Sequence, residues 1–388
     1  MDKQIDICGD DGMAKYCLGD IAPIEQGVVP VSGQYWLLNL DVVESNTGKV
    51  LEYVYVDCSQ IGASTISFDQ SNVLYSKLRP YLNKVVLPDR AGYATSEMLP
   101  LKPNEVIITR EYLTYFLRSP HFVEFINGKT SGAKMPRANI ADLKAVKVEC
   151  PSIKAQSIIV TQLDTIKSII EKRQQQLSSL DTLVKARFVE MFGDLKSNPK
   201  GWEFKPLSAV CDVRDGTHDS PKYVDSGYPL LTSKNFTDGF VDFSDANMIS
   251  GEDFDAINQR SKVDFGDIVM PMIGTIGHPV IIDTDRPFAI KNVALIKFGS
   301  SSASNVFVRE ILDSDYFRSI VEEKNRGNTQ KFIALGDIRK LQIPIVDIDV
   351  QKQFADFVEY VSKLKSVIQQ GLDKLETLKS ALMQEYFG

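Results

Sequence analysis

IKAQSIIVTQLDTIKSIIEKRQQQLSSLDTLVKARFVEMFG, Ile153 to Gly193, is the stretch on which the reading of this chain turns. Its apolar residues step through Ile159, Leu163, Ile166, Ile170, Leu177, Leu180, Val184 and Met191, with Leu183 beside them and Arg173 and Arg187 in the seam. A 3.5-residue apolar period sustained over several heptads predicts a coiled-coil helix. No proline interrupts it. At 1.5 Å per residue the helix is about 55–60 Å long. The same signature returns from Ile348 to Gly388 through Phe354, Phe357, Val361, Leu364, Ile368, Leu375, Leu378 and Leu382, with Gly371 in the seam.

The two stretches belong to a longer internal repeat. Residues 129–193 and 324–388 align without a gap at a constant offset of 195. Matched pairs include Lys129/Lys324, Gly132/Gly327, Asp142/Asp337, Gln156/Gln351, Leu180/Leu375 and Phe192/Phe387. A chain of 388 residues is thus one unit written twice, and repeats fix an architecture before any local reading does.

Working outward, each copy begins with a section of β-branched and alternating runs punctuated by Gly, Pro and Asp. Val28–Leu40, Leu51–Cys58 and Asn83–Asp89 predict short strands in the first, and Tyr228–Phe236, Gly266–Gly274 and His278–Asp285 in the second. Glu111–Phe125 and Val306–Val321 read as helices. The expectation is an α+β chain in four parts: a mixed α/β domain over 1–150, a long helix over 151–193, a second mixed domain over 194–347, and a long helix over 348–388. One helix leaves the first domain for the second and the other returns, so they are expected to pair antiparallel and hold the domains apart with pseudo-two-fold symmetry. DLKSNPKGW, Asp194 to Trp202, is the turn between them.

Bulk properties narrow the function. No apolar run is long enough to span a bilayer, and the opening MDKQIDICGDDG has no signal-peptide pattern, which points to the cytoplasm. Five scattered cysteines without a CxxC spacing read as reduced thiols. The net charge of −7 places any nucleic-acid contact on local patches rather than on a basic excess. Catalytic constellations are missing from the sequence. Gly128-Lys129-Thr130 imitates the end of a phosphate loop, but position 123 is Val. No Asn/Asp-Pro-Pro-aromatic element is present to grip a target amine. His121, His218 and His278 have no metal-ligand spacing. Asp215, His218 and Asp219 read as a polar turn before they read as an acid–base cluster. The chain is therefore expected to be non-catalytic, to need no metal, and to bind no cofactor itself.

Basic and aromatic residues interleave where phosphate and base contacts would need them. In the first domain the candidates are Tyr75, Ser76, Lys77, Arg79 and Lys84, and on the loop KTSGAKMPRANI, Lys134 and Arg137. Gly132 and its counterpart Gly327 mark a turn that needs positive φ. In the second domain they are Thr217, His218, Lys222, Lys234, Asn235, Thr275 and His278, with Arg326, Gln330 and Lys331 on the matching loop. MIGTIGHP sits at the repeat offset from KLRPYLNK, so the two domains are expected to use one surface with unlike chemistry.

Together LYSKLRPYLNKVVLP (Leu74 to Pro88), FGDLKSNPKGWEFKPLSAVC (Phe192 to Cys211), TQKFIALGDIRKLQIPI (Thr329 to Ile345) and the duplicated domain-plus-helix plan resemble the DNA-specificity subunit of type I restriction–modification systems. The short element that precedes each helix in that family is degraded here to CPSIKAQ and VDIDVQ, each keeping its Gln. The resemblance implies two target-recognition domains, each reading half of a bipartite double-stranded DNA sequence. It also implies two adenine-N6 methyltransferase (modification) subunits docked on the helices and supplying S-adenosylmethionine, with restriction or motor subunits joining them. The competing reading is a self-associating coiled-coil adaptor whose heads bind protein or carbohydrate.

Overall fold

The computed structural model describes residues 14–132, 134–237, 239–274, 276–299, 301–325 and 331–388. It divides into two compact units, the first comprising 1–174 and 370–388 and the second 175–369. Each unit therefore owns a globular section together with half of both long helices.

Those helices run Ile153–Phe192 and Ile348–Phe387, 40 residues each. Among the described residues no helix is long and apolar enough to cross a membrane. In the second unit the pairing is antiparallel: Asp181 meets Lys365 at 2.6 Å, the Arg187 guanidinium lies over Phe357, and Phe188 packs edge-on against Phe354. In the first unit Tyr386 donates to Gln162 at 2.7 Å, while Leu163, Met383 and Phe387 share a core.

The seam of the second helix is offset from the expected one. Phe354, Val361, Ile368 and Leu375 lie inward, and the expected Phe357 packs partly buried against the core, but the fully buried intervening residues are Val358 and Leu372, the latter rather than Gly371. Leu364 and Leu378, expected inside, are 39% and 47% exposed. On the first helix Ile159, Leu163, Ile166, Ile170, Leu177, Leu180 and Val184 face inward, whereas Leu183 is 47% exposed because its neighbour Val184 takes the inward position. The cause is a phase choice. Steps of four-then-three and three-then-four share every second position, and where they differ the packing buries Val358 and Leu372, the latter in place of the side-chain-free Gly371.

Buried glutamines join each helix to its domain at the two positions the repeat preserves. Gln156 Oε1 accepts the Thr109 N–H at 2.9 Å, and its amide donates to the Pro151 and Ile107 carbonyls. Gln351 repeats this with the Ser304 N–H and the Val346 carbonyl, both at 2.9 Å. At the far ends, Phe387 packs on Tyr112 at 5.1 Å in the first unit and Phe192 on Phe307 at 4.7 Å in the second. The pairs Thr109/Ser304, Tyr112/Phe307 and Phe192/Phe387 all stand 195 residues apart.

The domains carry the same offset further than side-chain identity does. In the first unit a three-stranded antiparallel sheet orders Val85–Val86, Val73–Ser76 and Met98–Leu101. In the second, Val280–Ile281, Ile268–Pro271 and Val293–Lys297 repeat it and Asp212–Asp215 adds an edge. A second, mixed sheet in each unit contains one parallel pair, Leu37 beside Tyr93 and Leu230 beside Ala289. The single helices expected at Glu111–Phe125 and Val306–Val321 are each two: Arg110–Arg118 and Pro120–Asn127, then Asn305–Leu312 and Asp315–Lys324. Ser119 is extended because Pro120 follows it, and its hydroxyl caps the next helix. Ser314 caps the matching helix by the same bond.

The revised seam has a direct test. Leu372→Ala should cost about 2–4 kcal/mol through the lost burial and the cavity left behind, whereas Leu378→Ala should stay within about 0.5 kcal/mol. Urea unfolding of the two variants should separate them in that order. Equal losses would restore the original phase.

Candidate nucleic-acid interface

The loops singled out from sequence meet in space. In the first unit the Arg79 N–H donates to the Pro136 carbonyl at 2.7 Å, the Ala138 N–H donates to the Lys77 carbonyl at 2.8 Å, and Leu78 bridges Arg137. In the second the Gly274 N–H donates to the Lys331 carbonyl at 3.1 Å, the Ile333 N–H donates to the Met272 carbonyl at 2.9 Å, and Ile273 bridges Phe332. Every one of these partners is displaced by 195 from its counterpart. One backbone frame thus clips two distant loops together in both units, at the end of a core strand.

What projects from the frame differs. In the first unit Glu97 lies beneath it. Its carboxylate takes a two-pronged hydrogen bond from Arg137, with Nε at 3.0 Å and Nη2 at 2.8 Å, and Lys77 stands 3.9 Å away. Arg137 and Lys77 are therefore partly neutralised and hold the loops in place. Arg79 and Lys134 remain exposed, Arg79 on a left-handed residue with φ of 49°, and Tyr81 and Met135 are exposed beside them. Gly132 has the positive φ expected of it, 97°.

Asn292 replaces Glu97 in the second unit. It adopts φ of 56° and its side-chain oxygen lies 2.8 Å from His218 Nδ1. His218 Nε2 lies 2.9 Å from the Asp215 carboxylate, which also pairs with Arg260. With an acceptor at each ring nitrogen, the doubly protonated imidazolium is favoured, and the hydrogen bonds from Asn292 and then Asp215 raise the His218 pKa above its ordinary value. The Asp219 N–H closes the turn on Thr217 Oγ1 at 3.1 Å. Lys331 and His278 are exposed.

Several candidates hold the fold instead. Tyr75 and Ser76 are buried in a core strand, Tyr75 packing edge-on against Phe122. Burial drives the Tyr75 phenol well above its ordinary pKa. Lys84, half-buried, donates to the Leu40 carbonyl at 2.6 Å, whereas Lys234 is exposed, its amine reaching the Asp245 carbonyl at 2.9 Å. Asn235 is buried and closes a capping box with Thr232. Thr217 is half-buried, and Lys222 is exposed. Thr275, Arg326 and Gln330 lie outside the described residues. Sequence reasoning missed Glu97, Asn292 and Arg260. The first two stand at one repeat position, each just before a core strand, Met98–Leu101 or Val293–Lys297, and that coincidence was the available signal.

Comparison with known proteins accords with this duplicated geometry. The family model for the type I restriction modification DNA specificity domain matches twice, over residues 10–179 and 199–377. The chain belongs to this family of non-catalytic DNA-recognition components. Similar curated proteins include the type I restriction enzyme MjaVIII specificity subunit of Methanocaldococcus jannaschii, 21% identical over 76% of this chain and 73% of that one. The EcoBI specificity subunit of Escherichia coli is 20% identical over 69% of this chain and 63% of its own length. Among solved structures, a chain from work on complex assembly and conformational transition of the type I R-M system aligns with a TM-score of 0.64 at 15% identity, covering 100% of this chain and 99% of that one. The type I restriction–modification S subunit from M. genitalium aligns with a TM-score of 0.58 at 12% identity, covering 99% and 98%. These two share the fold.

The His218 arrangement predicts a pH response. A folded-state pKa raised above the ordinary value, about 6.5, means that the stabilisation of this turn is complete below that value and is lost as pH climbs through the raised one. NMR titration should place the His218 ring above 6.5, and Asn292→Ala should lower it. A ring titrating at or below 6.5 in the unmodified chain would contradict the geometry.

Proposed function

We propose that each unit reads one half of a bipartite duplex DNA target through its clipped loops. The observation that carries this reading is the frame itself: backbone contacts kept at a constant offset, with side chains that have diverged. Conserved geometry with unlike chemistry suits two readers of different sequences. Arg79 and Lys134 in one unit, and Lys331 and His278 in the other, supply local positive charge despite the acidic whole.

The long helices have diverged less, which fits a common partner. They are read as docking surfaces for two adenine-N6 methyltransferase subunits, which carry S-adenosylmethionine and the chemistry, with restriction subunits joining that assembly in the cytoplasm. Two equivalent partners require two equivalent surfaces, and an internal repeat provides them. On this reading helix length sets the unread spacer between half-sites, with one duplex turn being about 34–36 Å.

Exchanging residues 194–347 for the corresponding domain of another family member should change one half of the protected sequence and leave the other intact. A change in both halves, or in neither, would reject the modular reading. Lys134→Ala should weaken binding to all sequences alike and reduce the salt slope of log K by about 0.9 if it meets one phosphate. An unchanged slope would remove it from the interface.

A further inference from the structure

The two frames differ most at their centre. In the first unit the bridged residues are Leu78, half-buried, and Arg137, held by Glu97. In the second they are Ile273 and Phe332, 44% and 52% exposed. Residues directly opposite in an antiparallel bridge send their side chains to the same face, so the two form one apolar contact patch. Beside it, where the first unit carries the Arg79 side chain, stands Gly274, with φ of 77° and open space where a Cβ would be. Lys331, adjacent in sequence to Phe332, is exposed.

An apolar patch on a DNA-reading surface has a specific use. In the major groove the C5 methyl of thymine is the apolar feature of a base edge, and aliphatic and phenyl side chains recognise it by contact. A bare glycine lets the backbone approach closely, and a neighbouring lysine can meet a phosphate that fixes the register. We infer that Ile273 and Phe332 read thymine methyl groups in the half-site of the second unit, so that this half-site contains thymine at the contacted step. Beside the matching bridge of the first unit, at the place of Gly274, stands the exposed Arg79 guanidinium, which would read a hydrogen-bonding base edge, Arg137 being held by Glu97. The inference rests on the loops being the DNA-reading surface.

The test uses the full-length chain assembled with a modification subunit, on its mapped recognition sequence. The half belonging to the second unit is the one that changes when residues 194–347 are exchanged. Replacing its thymines by uracil, one position at a time, removes only the methyl. At the contacted positions this should weaken binding about fourfold per methyl, while the same replacement in the other half should have no effect. Phe332→Ala and, independently, Ile273→Ala should abolish the difference between thymine and uracil. Equal affinity of the unmodified assembly for both duplexes, a second half-site without thymine, or an undiminished thymine preference in both variants would overturn the inference. Failure of the underlying reading looks different: the unmodified assembly would then protect no particular sequence.

Discussion

The structure depends on a short stretch of backbone pairing between loops far apart in sequence. Lys77 to Arg79 lie against Pro136 to Ala138, and Met272 to Gly274 lie against Lys331 to Ile333. These hydrogen bonds use only main-chain groups and so constrain the path of the chain without constraining its side chains. That separation lets one architecture carry two chemistries. A cationic, carboxylate-braced surface and an apolar surface with a bare glycine can occupy the same scaffold because neither is required for the loops to meet.

The support behind the loops follows the same economy. The paired segment leaves the end of a buried strand, Val73–Ser76 or Ile268–Pro271, which anchors it in the core. The glutamine at the root of each long helix reaches back to the residue just before a domain helix, Thr109 or Ser304, and accepts its N–H. Buried amides leave costly unpaired groups when removed, which explains why Gln156 and Gln351 remain alike while the loops around them have diverged. Each domain also receives the terminal phenylalanine of a helix, Phe387 on Tyr112 and Phe192 on Phe307. The helices are thus integral to each unit's core and cannot be treated as separate rods.

Much of this was legible in the sequence because it depends on spacing. The heptads gave the helix limits, and the offset of 195 identified Gly132 as a left-handed turn and matched MIGTIGHP to KLRPYLNK. Reading failed where two alternatives shared a pattern. Leu364 and Leu378 fit a heptad as well as Val358 and Leu372 do, and only three-dimensional packing selects between them. Tyr75 and Asn235 have the composition of contact residues but lie inside, because a strand buried on both faces and a capping box claimed them. Glu97 escaped notice because an acidic residue runs against the expected charge of a DNA-contacting surface. Its task is to hold Arg137 and Lys77, not to meet the phosphates.

The central claim is that one repeated frame reads two unlike DNA words. It is tested most directly by mapping methylated adenines across the source genome with this gene intact and with it deleted. The account predicts a gene-dependent motif of two different short sequences separated by a fixed run of unspecified bases. A single uninterrupted motif, two identical halves, or no change on deletion would contradict it.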